Sequence, residues 1–229
     1  FEVGNQFADD TPEGQALVAT GIRRGNAVER HWASEARPVD AFDAKADALS
    51  VLSACGAPVD KLQTEPGGTA WYHPGRSGVL RLGPKNVLAA FGELHPRVLK
   101  ALDVSGPVVA FEVFMDAIPL PKGRGGQSRG PLNASDYQAV DRDFAFTVAR
   151  DVPAGEILRA ARGADKTLIR EATVFDVYAG EGMAADQKSV AIRLRLQADD
   201  RTLTDKEIEA VAHRVVAAIS SRTGGVLRG

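Results

Sequence analysis

The segment "WYHPGRSG", residues 71–78, brings an imidazole, a guanidinium and a hydroxyl close together along the chain, at His73, Arg76 and Ser77. A serine hydroxyl becomes a nucleophile when a base activates it and a third group orients that base. The segment lacks the G-x-S-x-G elbow, and Pro74 and Gly75 are typical of a turn. Two interpretations follow: a free-standing hydrolytic enzyme, or a structural loop.

The cysteine and the histidines do not indicate a second candidate for a catalytic or metal site. Cys55 is the single cysteine, which excludes an intrachain disulfide and fits a reducing compartment. It lies in the small apolar stretch "VLSACGAP", where we expect it to be buried rather than reactive. The histidines lack metal-site spacing and are His31, His73, His95 and His213. We expect no metal site, and a capping or packing role for His95 in "GELHP".

Composition narrows the class of protein further. The chain has 229 residues, a formal net charge of -2 and 25% charged residues. This balance argues against a broad electrostatic clamp on nucleic acid but allows a small RNA site. No apolar run is long enough to span a membrane, and no signal peptide is recognisable. Because the chain starts at Phe1 and reads at once as a strand, "FEVGNQF", we expect a piece of a longer protein.

A shift in composition predicts two domains. "PLPKGRGGQSRGPLNAS", residues 119–135, is rich in Gly, Pro and Ser and lacks a hydrophobic period. Such a stretch is typical of an exposed linker. We predict a first domain over residues 1–118, a linker over 119–133 and a second domain over 134–229.

The first domain is predicted to mix strands with helices. "DAFDAKADALSVLSACG" has a helical pattern that starts at a cap, Asp40 or Asp43, and ends at Gly56. "GVLRLG", "VLAAFGEL" and "VVAFEVFM" are short apolar segments bounded by Gly and Pro, which predicts sheet strands. "LHPRVLKALDV" predicts a short helix opened by Pro96.

The second domain has a clearer pattern. "RDFAFTV", "TLIREATVFDVYAG", "KSVAIRLRLQ" and "GGVLRG" read as strands, and "PAGEILRAARGA" as a helix. "TLTDKEIEAVAHRVVAAISSR" is a second helix, with a capping box between Thr204 and Glu207. The order βαββαβ is that of a ferredoxin-like α+β sandwich, in which two helices cover one face of a four-stranded antiparallel sheet.

The other face of that sheet is left for solvent or a ligand. Alternation predicts that Phe175 and Val177 face the helices. The opposite face would then carry Asp176, Tyr178, Ser189, Arg193 and Arg195. An aromatic ring, a hydroxyl and two guanidinium groups suit single-stranded RNA, which needs stacking, polar contacts to base edges and phosphate contacts. The alternative is that these arginines only solvate an exposed sheet.

Several motifs in order resemble one family. The four strands of the second domain, with "TLTDKEIEA", resemble the ferredoxin-fold anticodon-binding domain of the bacterial phenylalanyl-tRNA synthetase β subunit. In the first domain "FEVG", "RHWA", "FDAKAD", "WYHPGRSG" and "FGELHP" resemble the class II synthetase-like, non-catalytic core of the same subunit. The resemblance covers nearly the whole chain and implies that the chain is the C-terminal part of such a subunit.

The resemblance implies roles for individual residues. Tyr178 falls at the family's aromatic position that stacks on an anticodon base, and Ser189 at a position that forms a hydrogen bond there. Asp176 and Lys188 flank these two. Arg193 and Arg195 are added from strand alternation alone. Arg142 in "RDFAF" is a candidate phosphate contact, or it pairs with a carboxylate across the sheet.

The resemblance also implies what this part of the subunit does not do. In the family the α subunit joins phenylalanine to tRNA with ATP and Mg²⁺, so the fragment alone is expected to be non-catalytic and to hold neither cofactor. "VVAFEVFMDAIPL" has no motif 3 arginine, which agrees. "WYHPGRSG" is then a structural loop in which Arg76 ties a carboxylate or carbonyl. The expected partners are tRNA-Phe and the α subunit in a cytoplasmic (αβ)₂ heterotetramer. The alternative is a structural heterodimerisation module without RNA contact.

Overall fold

A computed structural model describes residues 1–120 and 135–228 of the chain. The chain divides into two compact units, Phe1–Ser128 and Arg129–Gly229. Most of the predicted linker, residues 121–133, lies outside the described residues. No helix in the described ranges is both long enough and apolar enough to cross a membrane.

The first unit is built on an antiparallel sheet. Its strands are β1 (Glu2–Phe7), β2 (Gln15–Arg24), β3 (Asn26–Val28), β4 (Arg37–Pro38), β5 (Gln63–Pro66), β6 (Tyr72–Leu82), β7 (Asn86–Leu94) and β8 (Val108–Phe114). Six of them form one sheet in the order β1-β2-β8-β7-β6-β5, and β3 pairs with β4. The three strands predicted from apolar segments are β6, β7 and β8. The long strand β2 was not anticipated.

Two helices belong to this unit, α1 (Ala41–Ala54) and α2 (Pro96–Ala101). Asp40 caps α1 by accepting the backbone N–H groups of Phe42 and Asp43, and the Asp43 carboxylate accepts the Asp40 N–H at 2.9 Å. This reciprocal capping is why the helix begins where the sequence predicted. Short 3-10 turns lie at Pro12–Gly14, Val59–Lys61 and Met115–Ala117.

The core of the first unit lies between α1 and the sheet. Ala44, Ala48 and Leu52 recur at every fourth residue and bury one stripe of α1. The sheet side chains packed in the same cluster include Leu80, Leu88, Val109 and Val113. The small alanines allow the helix to approach the sheet closely.

The expectation for Cys55 is wrong, because its side chain is exposed. The last residue of α1 is Ala54, and the chain turns at Gly56, whose φ of 80° is in the left-handed region. The cysteine therefore falls at the helix end, beyond the stripe that packs on the sheet.

The second unit has the predicted element order. It comprises β9 (Val140–Ala149), α3 (Ala154–Ala164), β10 (Ile169–Tyr178), β11 (Gln187–Leu196), α4 (Asp205–Thr223) and β12 (Val226–Leu227). The strands form an antiparallel sheet in the order β10-β11-β9-β12. The ferredoxin-like α+β arrangement is confirmed.

Both helices of the second unit pack on one face of this sheet. The strands contribute alternate residues to the core, including Phe146, Val148, Val190, Ile192, Leu194 and Leu196. The helices contribute Ile157, Ala161, Ile208, Val211, Val215 and Ile219. In the described residues no helix covers the other face of the sheet.

Two carboxylates near the helices of this unit have lowered pKa values: Asp165, which follows α3, and Glu207, in the first turn of α4. Burial of Asp165 would raise its pKa, but the Thr167 hydroxyl, two backbone N–H groups and Arg214 hold that pKa at about 2. The N–H and hydroxyl of Thr204, with the Arg201 guanidinium, lower the pKa of Glu207 to about 2. Both groups therefore favour the folded state only while ionised.

We expect the second unit to lose stability as pH falls from about 4 to about 2, and not between pH 7 and 5. A carboxylate whose pKa is lowered on folding stabilises fully above its unfolded-state pKa, and this stabilisation is lost as pH falls toward its folded-state pKa. Asp165→Ala should cost about 2 kcal/mol at pH 7 and flatten this acid limb, because four donors lose their acceptor. The measurement is urea denaturation across pH. The exposed Asp151→Ala is the control, and an equally flattened acid limb there would contradict the assignment.

Candidate nucleic-acid interface

"WYHPGRSG" is not the predicted loop: from Tyr72 onward it forms the beginning of β6. The Ser77 hydroxyl donates to the backbone carbonyl of His73 at 2.8 Å. The His73 Nδ1 atom accepts the backbone N–H of Gly75 at 3.1 Å. Because the hydroxyl is bonded to a backbone carbonyl and not to the imidazole, the histidine does not activate the serine. The hydrolase interpretation is wrong.

The other polar groups of this segment have structural partners. Arg76 forms the expected ion pair, with Glu93 at 2.7 Å. His95 caps α2 by accepting the Arg97 N–H at 3.1 Å, as expected. A cavity of about 300 Å³ beside the segment is lined by Gly67, Gly68, Thr69, Ala70, Tyr72, Pro74, Ser77 and His95. None of these eight described lining residues carries a carboxylate or a guanidinium group.

The open face of the second unit gathers several of the predicted site residues. Tyr178 on β10 lies opposite Ser189 on β11, and Ser189 lies opposite Thr147 on β9. Tyr178 is 43% exposed, whereas Ser189 is only 6% exposed. On this face, the accessible ring of Tyr178 therefore lies beside the recessed hydroxyl of Ser189.

A β-bulge determines which β10 residues reach this face. Val174 pairs with Ile192, but the next pair is Asp176 with Ala191, so Phe175 is an extra residue. The bulge places Asp176 and Tyr178 on the open face, opposite Ala191 and Ser189, while Val177 pairs with the core residue Val190. The expectation that Phe175 faces the helices is wrong: the ring lies beneath Arg193 and is 54% exposed.

Tyr178 is held in place by the turn that follows β10. Its hydroxyl donates to the Glu181 carbonyl at 2.8 Å. A Cβ atom on Gly180 would lie 2.6 Å from the Tyr178 Oη atom and 2.7 Å from Cζ, so the ring rests directly on this glycine. Such an immobilised and partly exposed ring is suited to stacking, because less side-chain entropy is lost on binding.

Arg193 is already engaged on the open face. Its guanidinium donates to both carboxylate oxygens of Asp143, at 2.8 and 2.7 Å, and lies 5.4 Å from the centre of the Phe175 ring. The hydrogen bond from Arg193 lowers the pKa of Asp143, and the same bond raises the pKa of Arg193. Arg193 therefore pairs within the sheet rather than extending free toward a phosphate.

Arg195 also has acidic neighbours. In the register it lies between Glu171 on β10 and Asp141 on β9. On the open face, the strands β9, β10 and β11 carry four carboxylates: Asp141, Asp143, Glu171 and Asp176. They outnumber the two arginines that β11 places on this face, so the face favours contacts with bases over attraction of phosphates.

Two other predicted contacts lie on the opposite side of the sheet. Lys188 pairs with Val148, and Arg142 pairs with Leu194. Both partners are core residues beneath the helices, and paired residues share a face. Lys188 is half-buried and Arg142 is exposed, but neither lies beside Tyr178 on the open face.

Sequence reasoning missed three parts of this site: the outward Phe175, the contact of the Tyr178 ring with Gly180, and the hydrogen bonds that Arg193 donates to Asp143. One signal was available for the first. The apolar positions Ala172, Val174 and Val177 break the period of two, and such a break is typical of a bulge. The other two depend on contacts that no local pattern reveals.

No three His, Cys, Asp or Glu side chains within residues 1–120 and 135–228 are grouped so that they could hold a metal ion.

Comparison with known families agrees with this geometry. A model described as a ferredoxin-fold anticodon binding domain matches residues 135–228. A model described as the phenylalanyl tRNA synthetase beta chain CLM domain matches residues 1–115.

Individual relatives match along the whole chain. The phenylalanine–tRNA ligase beta subunits of Mesorhizobium japonicum, Rhodospirillum rubrum and Paramagnetospirillum magneticum are 52%, 51% and 54% identical to it. The matches cover 100% of this chain and 29%, 28% and 29% of the respective relatives. The chain thus spans less than a third of the length of these relatives.

Proposed function

The chain belongs to the family of phenylalanine–tRNA ligase β subunits, and from that premise we propose that its second unit binds the anticodon of phenylalanine tRNA. The observation that carries the proposal is the open face of that unit, where Tyr178, Asp176 and Ser189 lie side by side. An exposed ring stacks on an unpaired base, and a carboxylate and a hydroxyl can bond its polar edge.

In this proposal each residue has a separate role. Tyr178 supplies a stacking surface, and Asp176 and Ser189 read polar edges of the anticodon bases. Arg195 is a candidate phosphate contact on the open face, whereas Arg193 is bonded to Asp143. Lys188 and Arg142 contact the RNA only where it wraps beyond the edge of the sheet.

In the proposed mechanism, the second unit contributes to the reaction by positioning the tRNA. Anticodon binding orients the tRNA so that its acceptor end reaches a distant active site on a partner subunit, the α subunit of an (αβ)₂ heterotetramer. That subunit would use ATP and Mg²⁺ in the cytoplasm to join phenylalanine to the tRNA. Correct placement of reactants removes part of the entropic barrier to reaction.

The first unit is proposed as part of the scaffold for that assembly. Val3, Phe7, Ile22 and Phe42 are large apolar side chains of this unit, each more than half exposed. Exposed apolar side chains in such number support an interface with another protein surface.

One observation favours a second candidate function, assembly without RNA contact. The open face carries more carboxylates than arginines. An acidic surface repels phosphates, and nucleic-acid-binding domains are usually basic. The two candidates differ in whether the second unit binds RNA at all.

Binding of a phenylalanine tRNA anticodon stem-loop to the 229-residue chain, measured across a salt series beside a scrambled loop, tests the proposal. We expect tighter binding of the cognate loop. The plot of log K against log salt should have a shallow slope, about -0.7 to -1.4, the slope for one or two neutralised phosphates, because the open face itself carries few free cations. Equal binding of both loops with a steep slope would mean phosphate attraction only, and no binding would favour assembly alone.

A further inference from the structure

A second exposed aromatic ring lies on the open face, away from Tyr178. Phe175 is 54% exposed, and the central guanidinium carbon of Arg193 lies 5.4 Å from the centre of its ring. Tyr178 lies opposite Ser189, which precedes Arg193 by four residues on β11. At about 3.3 Å per residue, these two positions on β11 are about 13 Å apart. A single base cannot contact both places, so the face has room for two separately bound bases.

The Arg193 guanidinium is held in one orientation by its neighbours. It donates two hydrogen bonds to the Asp143 carboxylate, at 2.8 and 2.7 Å. Such a bidentate bond fixes the guanidinium plane, and a cation within about 6 Å of an aromatic ring centre is attracted by that ring. The Arg193 side chain is nevertheless 51% exposed. Arg193 and Phe175 therefore present an ordered and accessible surface made of two planar groups.

We propose that Arg193 and Phe175 form a second stacking surface, which binds an anticodon base other than the base on Tyr178. The inference rests on the proposed anticodon-binding function and adds a second base contact to the same face. Unpaired RNA bases stack on aromatic rings and on arginine guanidinium planes. Because the Arg193 charge is already paired with Asp143, the guanidinium contributes its flat surface rather than attraction to a phosphate.

Stem-loops that each lack one anticodon base test this proposal. Three loops, abasic at the first, second or third anticodon position, are titrated beside the intact loop with the 229-residue chain and its variants. A stacking residue matters only while its base is present, so the two losses should not add. We expect Arg193→Ala to raise Kd for the intact loop about fivefold or more. This effect should be at least about threefold smaller on one abasic loop than on the other two.

Two further variants separate the planar surface from the charge. Phe175→Leu removes the ring, and Arg193→Lys keeps a cation opposite Asp143 but removes the guanidinium plane. Both should weaken binding of the intact loop by about threefold or more, with the smallest effect on the same abasic loop as Arg193→Ala. Tyr178→Ala should have its smallest effect on a different abasic loop. Arg193→Ala also leaves Asp143 unpaired, but that carboxylate repels all the loops alike and cannot produce a dependence on one base.

Arg159 provides a matched control outside the site. It is an exposed arginine on α3, on the helix side of the sheet, and it pairs with Glu156 at 2.6 Å as Arg193 pairs with Asp143. Arg159→Ala removes the same charge from the same unit, while Glu156 keeps Arg222 as a partner. Salt screens a charge on the side of the sheet opposite the RNA, so Kd for each loop should stay within about twofold of that of the unchanged chain.

The outcomes distinguish this proposal from the proposed function. Arg193→Ala losses of equal size on the intact loop and all abasic loops overturn the second surface, provided that circular dichroism shows the variant folded. Dependence of Arg193→Ala and Tyr178→Ala on the same base also overturns it, because only one base would then be bound. In both cases a base-dependent loss in Tyr178→Ala leaves the proposed function standing. If the unchanged chain binds no loop, both proposals fail. Dependence of the two variants on different bases supports the second surface.

Discussion

Replacing Tyr178 with alanine is expected to weaken binding of the phenylalanine tRNA anticodon stem-loop by about 1–3 kcal/mol, or between about fivefold and 150-fold in Kd. The ring is held against Gly180 and is 43% exposed, so the unbound protein already presents the surface that a base would contact. Removal of the ring takes away the whole stacking surface. Titration of the 229-residue chain with a labelled stem-loop measures the change.

Two matched variants separate stacking from other effects. Tyr178→Phe keeps the ring and loses only the hydrogen bond to the Glu181 carbonyl, so binding should fall by less than about threefold. Tyr137→Ala removes another partly exposed tyrosine of the same unit, whose carbonyl accepts a hydrogen bond from Gln197, the residue that follows β11. It should not change binding. If Tyr178→Ala and Tyr137→Ala behave alike, Tyr178 does not stack on the RNA.

Phe146→Ala should cost the second unit about 3–5 kcal/mol of unfolding free energy, the range for buried aromatic truncations. Phe146 lies on β9, is 0% exposed and packs within the core shared by the sheet, α3 and α4. The cavity left behind has walls on both layers, which limits how far the structure can collapse into it. Urea denaturation monitored by circular dichroism measures the loss.

Leu88→Ala provides the matched change in the other unit. Leu88 is also 0% exposed and lies in the core between α1 and the first sheet. If the two units fold independently, Phe146→Ala and Leu88→Ala will each shift a different transition, by about 2–5 kcal/mol. A single transition that moves equally in both variants would mean that the units unfold together.

Much of the second unit could be predicted because its local signals agree with one another. Val190, Ile192, Leu194 and Leu196 alternate strictly, and the structure buries all four beneath the helices. The capping box at Thr204 is present with both of its hydrogen bonds. Where propensity, periodicity and capping point to the same element, tertiary packing has nothing to override.

The first unit was harder to predict because its elements carry weaker local signals. β2 includes exposed arginines and a glycine, and its place between β1 and β8 depends on residues nearly a hundred positions away. The segment "WYHPGRSG" reads as a turn through Pro74 and Gly75, yet pairing with β7 draws it into β6. Pairing between strands that are far apart in the sequence determines both elements. A short stretch of sequence carries little sign of such pairing.

The candidate site divides in the same way. The sequence by itself determined the residue types of the open face, the order of its strands and, through family resemblance, the choice of Tyr178, Ser189 and Asp176. Only the tertiary structure decided which of them share a surface, because the bulge at Phe175 reverses the alternation of β10. It also decided that Arg193 is bonded to Asp143. Register decides which face of the sheet each side chain occupies and which ion pairs form across strands. Register is a property of the whole sheet rather than of any one strand.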